Sequence, residues 1–248
     1  MRRIGGVRAR MAAAVVLVLV PLAGCGENAE THAVGSERTD RSLNSAPGKP
    51  WTEADLNRVA LGDRDGFEVS GRVPLSAGPS TRTAKPATCS PILQALGTSS
   101  SSYAADARIS RIFSSKGSGS GATMTLSSHN IGDARAVVEA FRRAAEKCTA
   151  FRDVDQSYDY EAVEVRPDPG YGDESVSLRL VQVVSYPDGE SLKVPYAVVV
   201  VRRSTTIAMF YDFNRPTGPH GKKPAGVPDD LVTAQVEKIG RLDPAKIL

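Results

Sequence analysis

The chain has 248 residues, of which 41% are hydrophobic and 24% are charged, and its formal net charge is +3. Residues 1–24 hold four arginines and no acid, so the charge of the remaining chain is −1. Because that remainder has no Lys/Arg-rich block, its charge pattern argues against nucleic acid as a partner, and no electrostatic attraction to an anionic membrane is evident.

The first 25 residues have the layout of a bacterial export leader. A basic start precedes an apolar run, Ala12–Leu22, which is too short for the ~20 residues that span a bilayer. Leu22-Ala23-Gly24-Cys25 fits the lipobox, which implies cleavage before Cys25 and acyl chains such as palmitate on it. We therefore predict a lipoprotein signal peptide over residues 1–24 and an anchor on the extracytoplasmic face of the cell membrane. The alternative is a secreted protein without lipid.

The segment after Cys25 has the composition of a linker. Residues 26–50 contain no aromatic residue, and Val34 and Leu43 are their only larger aliphatic residues. Such a segment cannot bury a core, so we expect residues 25–50 to form a flexible, lipid-anchored tether. Residues 51–248 are then expected to form one compact domain.

Two cysteines, Cys89 and Cys148, remain in the predicted domain. An even pair in an oxidising compartment predicts a disulfide. Neither cysteine lies in a CxxC motif or near a histidine, which argues against a metal or thiol role.

Capping signals predict two short helices early in the domain. Thr52 and Asp55 have capping-box spacing, which predicts a helix through Leu61. Ser90 stands before a proline, the order of a helix cap and first turn, and this predicts a helix over Pro91–Leu96.

Alternation of apolar and polar residues predicts strands at Phe67–Val73, at Ala107–Phe113 and around Met124 and Leu126. The clearest helix is predicted from Asp133 to Cys148, because its apolar residues recur at helical spacing. These residues are Ala134, Val137, Val138, Phe141, Ala144, Ala145 and Cys148. This stripe should pack on a sheet, which would bring Cys148 to the buried side.

The second half of the domain is predicted to be mostly strand. The four candidates are Tyr158–Val165, Ser175–Val184, Val194–Arg202 and Thr205–Phe213. Short connections between them favour antiparallel pairing, and the run Val198–Val201 indicates a central strand buried on both faces. Asp229 is predicted to cap a last helix that ends at Arg241. The predicted fold class is therefore α+β, an antiparallel β-sheet with helices packed against it.

The order of these features resembles an actinobacterial lipoprotein group related to the PknH-like extracellular sensor domain. The matching residues are the early helix before Gly66-Phe67, Cys89-Ser90-Pro91-Ile92-Leu93, the helix Ala134-x-x-Val137-x-x-x-Phe141 ending in Cys148, Gly172-Asp173-Glu174-Ser175, and the paired strands Tyr196–Arg203 and Thr205–Tyr211. The resemblance covers residues 51–243. It implies a non-catalytic sensor-like module that binds an envelope small molecule or protein, with signalling through a partner because no kinase is present.

No motif in the sequence predicts an enzyme, a metal site or a cofactor. Gly117-Ser118-Gly119-Ser120-Gly121 has glycine where a nucleophile elbow needs serine, and we expect a hairpin loop there. The histidines lack the spacing of zinc ligands. His129 and His220 are both expected to be solvated loop residues.

Tyrosines supply the predicted ligand-binding residues. Tyr158, Tyr160 and Tyr171 lie near predicted strand ends, and tyrosine combines an apolar ring with a polar tip. Two alternatives stay open. One is a secreted hydrolase whose site combines His129, an acid such as Asp133 and an unidentified serine, and the other is a structural accessory of a cell-envelope complex.

Overall fold

The computed structural model describes residues 49–73, 75, 78–97, 103–114, 121–187, 189–214 and 224–242. The predicted leader, Cys25 and the tether up to residue 48 lie outside these ranges, so the anchor stays a prediction. Across the described ranges, no helix is long and apolar enough to cross a membrane.

The described chain folds into helices and strands that alternate irregularly. The helices are α1 (Glu53–Val59), α2 (Ser90–Ala95), α3 (Ile131–Lys147) and α4 (Asp229–Leu242). The strands are β1 (Val69–Gly71), β2 (Ala84–Lys85), β3 (Ala107–Phe113), β4 (Thr123–Ser128), β5 (Phe151–Asp153), β6 (Asp159–Arg166), β7 (Glu174–Ser185), β8 (Ser191–Arg203) and β9 (Thr206–Phe213).

All strands join one sheet in the order β1-β3-β4-β9-β8-β7-β6-β5-β2, and every neighbouring pair is antiparallel. This confirms the predicted pairing, which follows from connections too short for a parallel crossover. Strand β8 occupies the middle of the order, and Val198–Val201 is buried throughout, as predicted.

Helices cover both faces of the sheet. One apolar cluster packs α2 and α3 against Val198 and Val200, and we call this side the disulfide face. A second cluster packs α1 and α4 against Val199 and Val201, on what we call the opposite face. Because successive strand residues point to opposite sides, a strand between two helical layers needs a continuous apolar run, and β8 supplies one.

Several local predictions are confirmed. Thr52 and Asp55 form the capping box of α1, and the apolar stripe of α3 is buried. The Cys89–Cys148 disulfide is present, with the two Cα atoms 5.8 Å apart. It links the start of α2 to the end of α3 on the disulfide face.

Two boundary predictions are wrong. Ser90 does not cap α2, because a 3₁₀ turn over Ala87–Cys89 leads directly into the helix and the Ser90 hydroxyl accepts the backbone N–H of Ala84 at 3.0 Å. The first strand is reduced to Val69–Gly71, where its pairing with β3 shifts register. The short strands β2 and β5 were not predicted at all.

Side chains from β3 and α4 hold the end of α1. The Gln235 amide donates to the Val59 carbonyl at 2.9 Å and accepts the Leu61 backbone N–H at 2.8 Å. Arg111 donates to carbonyls at the same helix end, including that of Asn57 at 3.1 Å. Carbonyl and amide groups that the helix leaves unpaired are thus satisfied by distant residues.

Candidate ligand-binding face

Tyrosines gather on the disulfide face where the helical cover ends. Along β8, Val198 is fully buried, whereas Tyr196, two residues earlier on the same face, is half-buried. Tyr158 in the turn before β6 and Tyr211 of β9 are likewise partly buried against the apolar cluster, whereas Tyr160 of β6 is a buried member of it. We call this group, Tyr158, Tyr160, Tyr196 and Tyr211 together with Gln182, the tyrosine cluster.

Ring packing connects the cluster across four strands. Phe151 stacks on Tyr160 with centroids 4.8 Å apart, and Tyr160 meets Tyr196 edge-on at 6.5 Å. The Tyr196 ring also lies 6.4 Å from Tyr211 and 5.3 Å from Phe213. These distances and angles are those at which aromatic rings attract each other, so the rings form one continuous network, with Phe151 and Tyr160 buried.

Gln182 orients two of the phenol groups. Its amide nitrogen donates to the Tyr160 hydroxyl at 3.1 Å, and its carbonyl oxygen accepts the Tyr196 hydroxyl at 3.3 Å. Burial raises the pKa of Tyr160 to about 12. Burial and the neighbouring phenols raise the pKa of Tyr196 far above its ordinary value. Both groups are therefore protonated hydrogen-bond donors at neutral pH.

A buried ion pair stands beside the cluster. Arg82 donates to the carboxylate of Asp153, whose side chain is 0% exposed and also accepts backbone N–H groups of Asp155 and Gln156 at 2.9 and 3.1 Å. Burial alone would raise the pKa of Asp153, but these hydrogen bonds and the Arg82 charge hold it below its usual value. Arg82 also lowers the pKa of Tyr160, so its positive charge acts on the cluster.

The predicted binding residues divide between the two faces. Tyr158 and Tyr160 belong to the tyrosine cluster, whereas Tyr171 packs on the opposite face and donates to Asp229 at 2.9 Å. Sequence analysis missed Tyr196, although it shares a strand face with Val198. The sequence does not show the strand register that brings Tyr196 next to the other tyrosines.

The prediction that His129 is solvated is wrong. The residue is 1% exposed, and its ring nitrogens lie 3.0 Å from the Ala104 carbonyl and 2.9 Å from the Ser127 hydroxyl. Nδ1 must donate to the carbonyl, which leaves Nε2 as the acceptor of the Ser127 proton. The Asp133 carboxylate instead accepts the Asn130 side-chain amide at 2.6 Å. This serine and histidine are thus interior partners without access to a substrate.

Within the described ranges, no group of three His, Cys, Asp or Glu residues could hold a metal ion. His220 and the glycine-serine loop up to residue 120 lie outside the described residues.

Comparison with known proteins gives a likeness in fold. No family model matches the sequence, and no curated protein sequence matches it significantly. Among solved structures, the extracellular domain of PknH from Mycobacterium tuberculosis is similar, with 13% sequence identity and a TM-score of 0.50. The match covers 78% of this chain and 99% of that one. At this identity the likeness supports a common fold with the PknH extracellular domain.

Proposed function

We propose that this chain is a lipid-anchored, extracytoplasmic sensor-like module that binds a ligand of the cell envelope through the tyrosine cluster and catalyses no reaction. The observation that carries the proposal is that three partly buried tyrosines, Tyr158, Tyr196 and Tyr211, lie around the buried Tyr160–Gln182 pair at the margin of the apolar cluster. The common fold with the extracellular domain of PknH supports the extracytoplasmic placement.

The chemistry of the cluster suits binding rather than catalysis. Phenols with a raised pKa are poor acid–base groups at neutral pH, since a useful catalytic pKa lies near the working pH. The partly buried phenols of Tyr158 and Tyr211 would donate hydrogen bonds to a ligand beside flat apolar rings, and the positive charge of Arg82 is paired with Asp153. We expect a ligand that has a ring or other flat face and several hydrogen-bond acceptors.

Native mass spectrometry of the full chain, purified from its own membrane, tests this proposal. We expect a small-molecule adduct that is lost on denaturation. The double variant Tyr158→Ala/Tyr211→Ala should lose it, because both side chains are half-buried at the margin of the cluster. Tyr186→Ala, at an exposed tyrosine near the β7–β8 turn, is the matched control and should keep the adduct.

Two results would contradict the proposal. One is a wild-type protein with a bare native mass that also binds no envelope extract. The other is an adduct that the double variant retains as fully as the control.

A further inference from the structure

A cavity of about 330 Å³ lies on the opposite face, between β1, the end of β3 and the start of α4. Its lining residues are Gly66, Phe67, Glu68, Phe113, Ser114, Ala122, Pro228, Asp230 and Leu231. The volume is at the lower end of the range in which proteins bind small organic ligands. The sheet separates this cavity from the tyrosine cluster, so the two would be independent sites.

The inner wall of the cavity is apolar. Phe113 and Leu231 are buried core residues, and Ala122 beside them is buried as well. Phe67 is half-buried and meets Phe113 edge-on, with ring centroids 6.2 Å apart and planes at 76°. A ligand in the cavity would therefore place an apolar group against this wall.

The rim of the cavity is acidic. Glu68 and Asp230 are exposed carboxylates, and no ion pair to either occurs between described residues. The Asp230 carboxylate accepts only its neighbour's backbone N–H, that of Leu231 at 2.9 Å, within the described contacts. Aromatic ring faces also carry negative potential, so the wall and the rim both favour a positively charged ligand.

We propose that this cavity binds a small organic cation with an apolar body, of the aryl- or alkylammonium class. The apolar wall would take the hydrocarbon part, and the ammonium group would lie at the rim between Glu68 and Asp230. Charge complementarity and the aromatic wall together exclude anions of the same shape.

Three probes of similar size and different charge test the proposal on the full chain at neutral pH. They are phenethylammonium, neutral 2-phenylethanol and anionic phenylacetate, each titrated by ligand-observed saturation-transfer NMR. We expect saturable binding of the cation, weaker binding of the alcohol and none of the acid. Glu68→Gln/Asp230→Asn should raise the Kd of the cation about tenfold, as expected for the loss of two exposed charge contacts.

A matched control removes two acids elsewhere. Glu146 on α3 and Glu164 on β6 are exposed and lie away from the cavity, so Glu146→Gln/Glu164→Gln should leave the Kd unchanged. Phe67→Leu should raise the Kd of the cation and change the unfolding midpoint little, since Phe67 is half-buried. The proposal is overturned if the three probes bind alike, if the cation does not saturate, or if both double variants bind it equally.

Discussion

The contact between α4 and the end of α1 permits a quantitative prediction. Gln235 is 0% exposed and reaches across 174 residues of sequence to accept the Leu61 N–H, while its amide donates to the Val59 carbonyl. We expect Gln235→Ala to destabilise the domain strongly, although the substitution is compatible with the helix.

The magnitude follows from the two groups that lose their partner. A buried donor or acceptor left unsatisfied costs about 1–3 kcal/mol. Val59 and Leu61 are both buried, so two such groups give an expected loss of about 4 kcal/mol, a large part of a typical domain stability of about 5–15 kcal/mol.

Urea unfolding of the full chain, followed by tryptophan fluorescence, measures this loss. Trp51 is the single tryptophan, is 3% exposed and belongs to the same apolar cluster, so its emission reports this junction. Glu237→Ala is the matched control, since Glu237 is exposed on the same helix and should change the free energy of unfolding by about 0.5 kcal/mol or less.

A loss below about 1 kcal/mol for Gln235→Ala would refute the reasoning, because a single ordinary hydrogen bond is worth that much. An equal loss for Glu237→Ala would show that the helix, and not the buried amide, is responsible.

Three further predictions concern stability. Burial lowers the pKa of His129 below its unfolded value of about 6.5, so near that pH the unfolded chain binds more protons than the folded chain. The free energy of unfolding should therefore be greatest above about pH 6.5 and fall as the pH drops below it. His129→Gln should flatten this pH dependence. Replacing both Cys89 and Cys148 by serine should lower the free energy of unfolding by about 4 kcal/mol, because the bridge closes a loop with a sequence separation of 59. Urea unfolding that shows almost no loss would contradict this. Gly172→Ala should cost about 2 kcal/mol or more, since φ is +64° and the new Cβ would lie 2.5 Å from a β8 carbonyl oxygen. Gly170→Ala is the control, because its φ is +72° and its new Cβ would meet nothing, so it should cost only the backbone strain of about 1 kcal/mol. Equal thermal midpoints for the two variants would argue against the clash.

Elements with a strong local pattern were predictable. The stripe of α3 repeats within one contiguous segment, and the capping box of α1 needs only Thr52 and Asp55; the alternation of β3 is imperfect, but it lies within one short segment. The two-residue strand β2 and three-residue strand β5 carry no comparable pattern, because so few residues cannot display a period.

The candidate site was predictable only in part. Tyr158 and Tyr160 were identified as binding residues and lie in the tyrosine cluster, although ligand binding itself stays a prediction. Their partners Gln182 and Tyr196 come from the next two strands, so finding them required the register of β6 on β7 and of β7 on β8. The burial of His129 was not predicted for a similar reason, since its partner, the Ala104 carbonyl, lies 25 residues earlier in the chain.

The sequence alone determined the class of the fold and the antiparallel pairing, because capping, periodicity and short connections act between near neighbours. It also determined the disulfide, because Cys89 and Cys148 are the two cysteines that remain after Cys25. Only the tertiary structure decided that β9 lies between β4 and β8, which faces the helices cover and which tyrosines meet. Those outcomes depend on contacts between residues far apart in the chain. Many registers satisfy the same local pattern, and the packing of both apolar layers at once selects one of them.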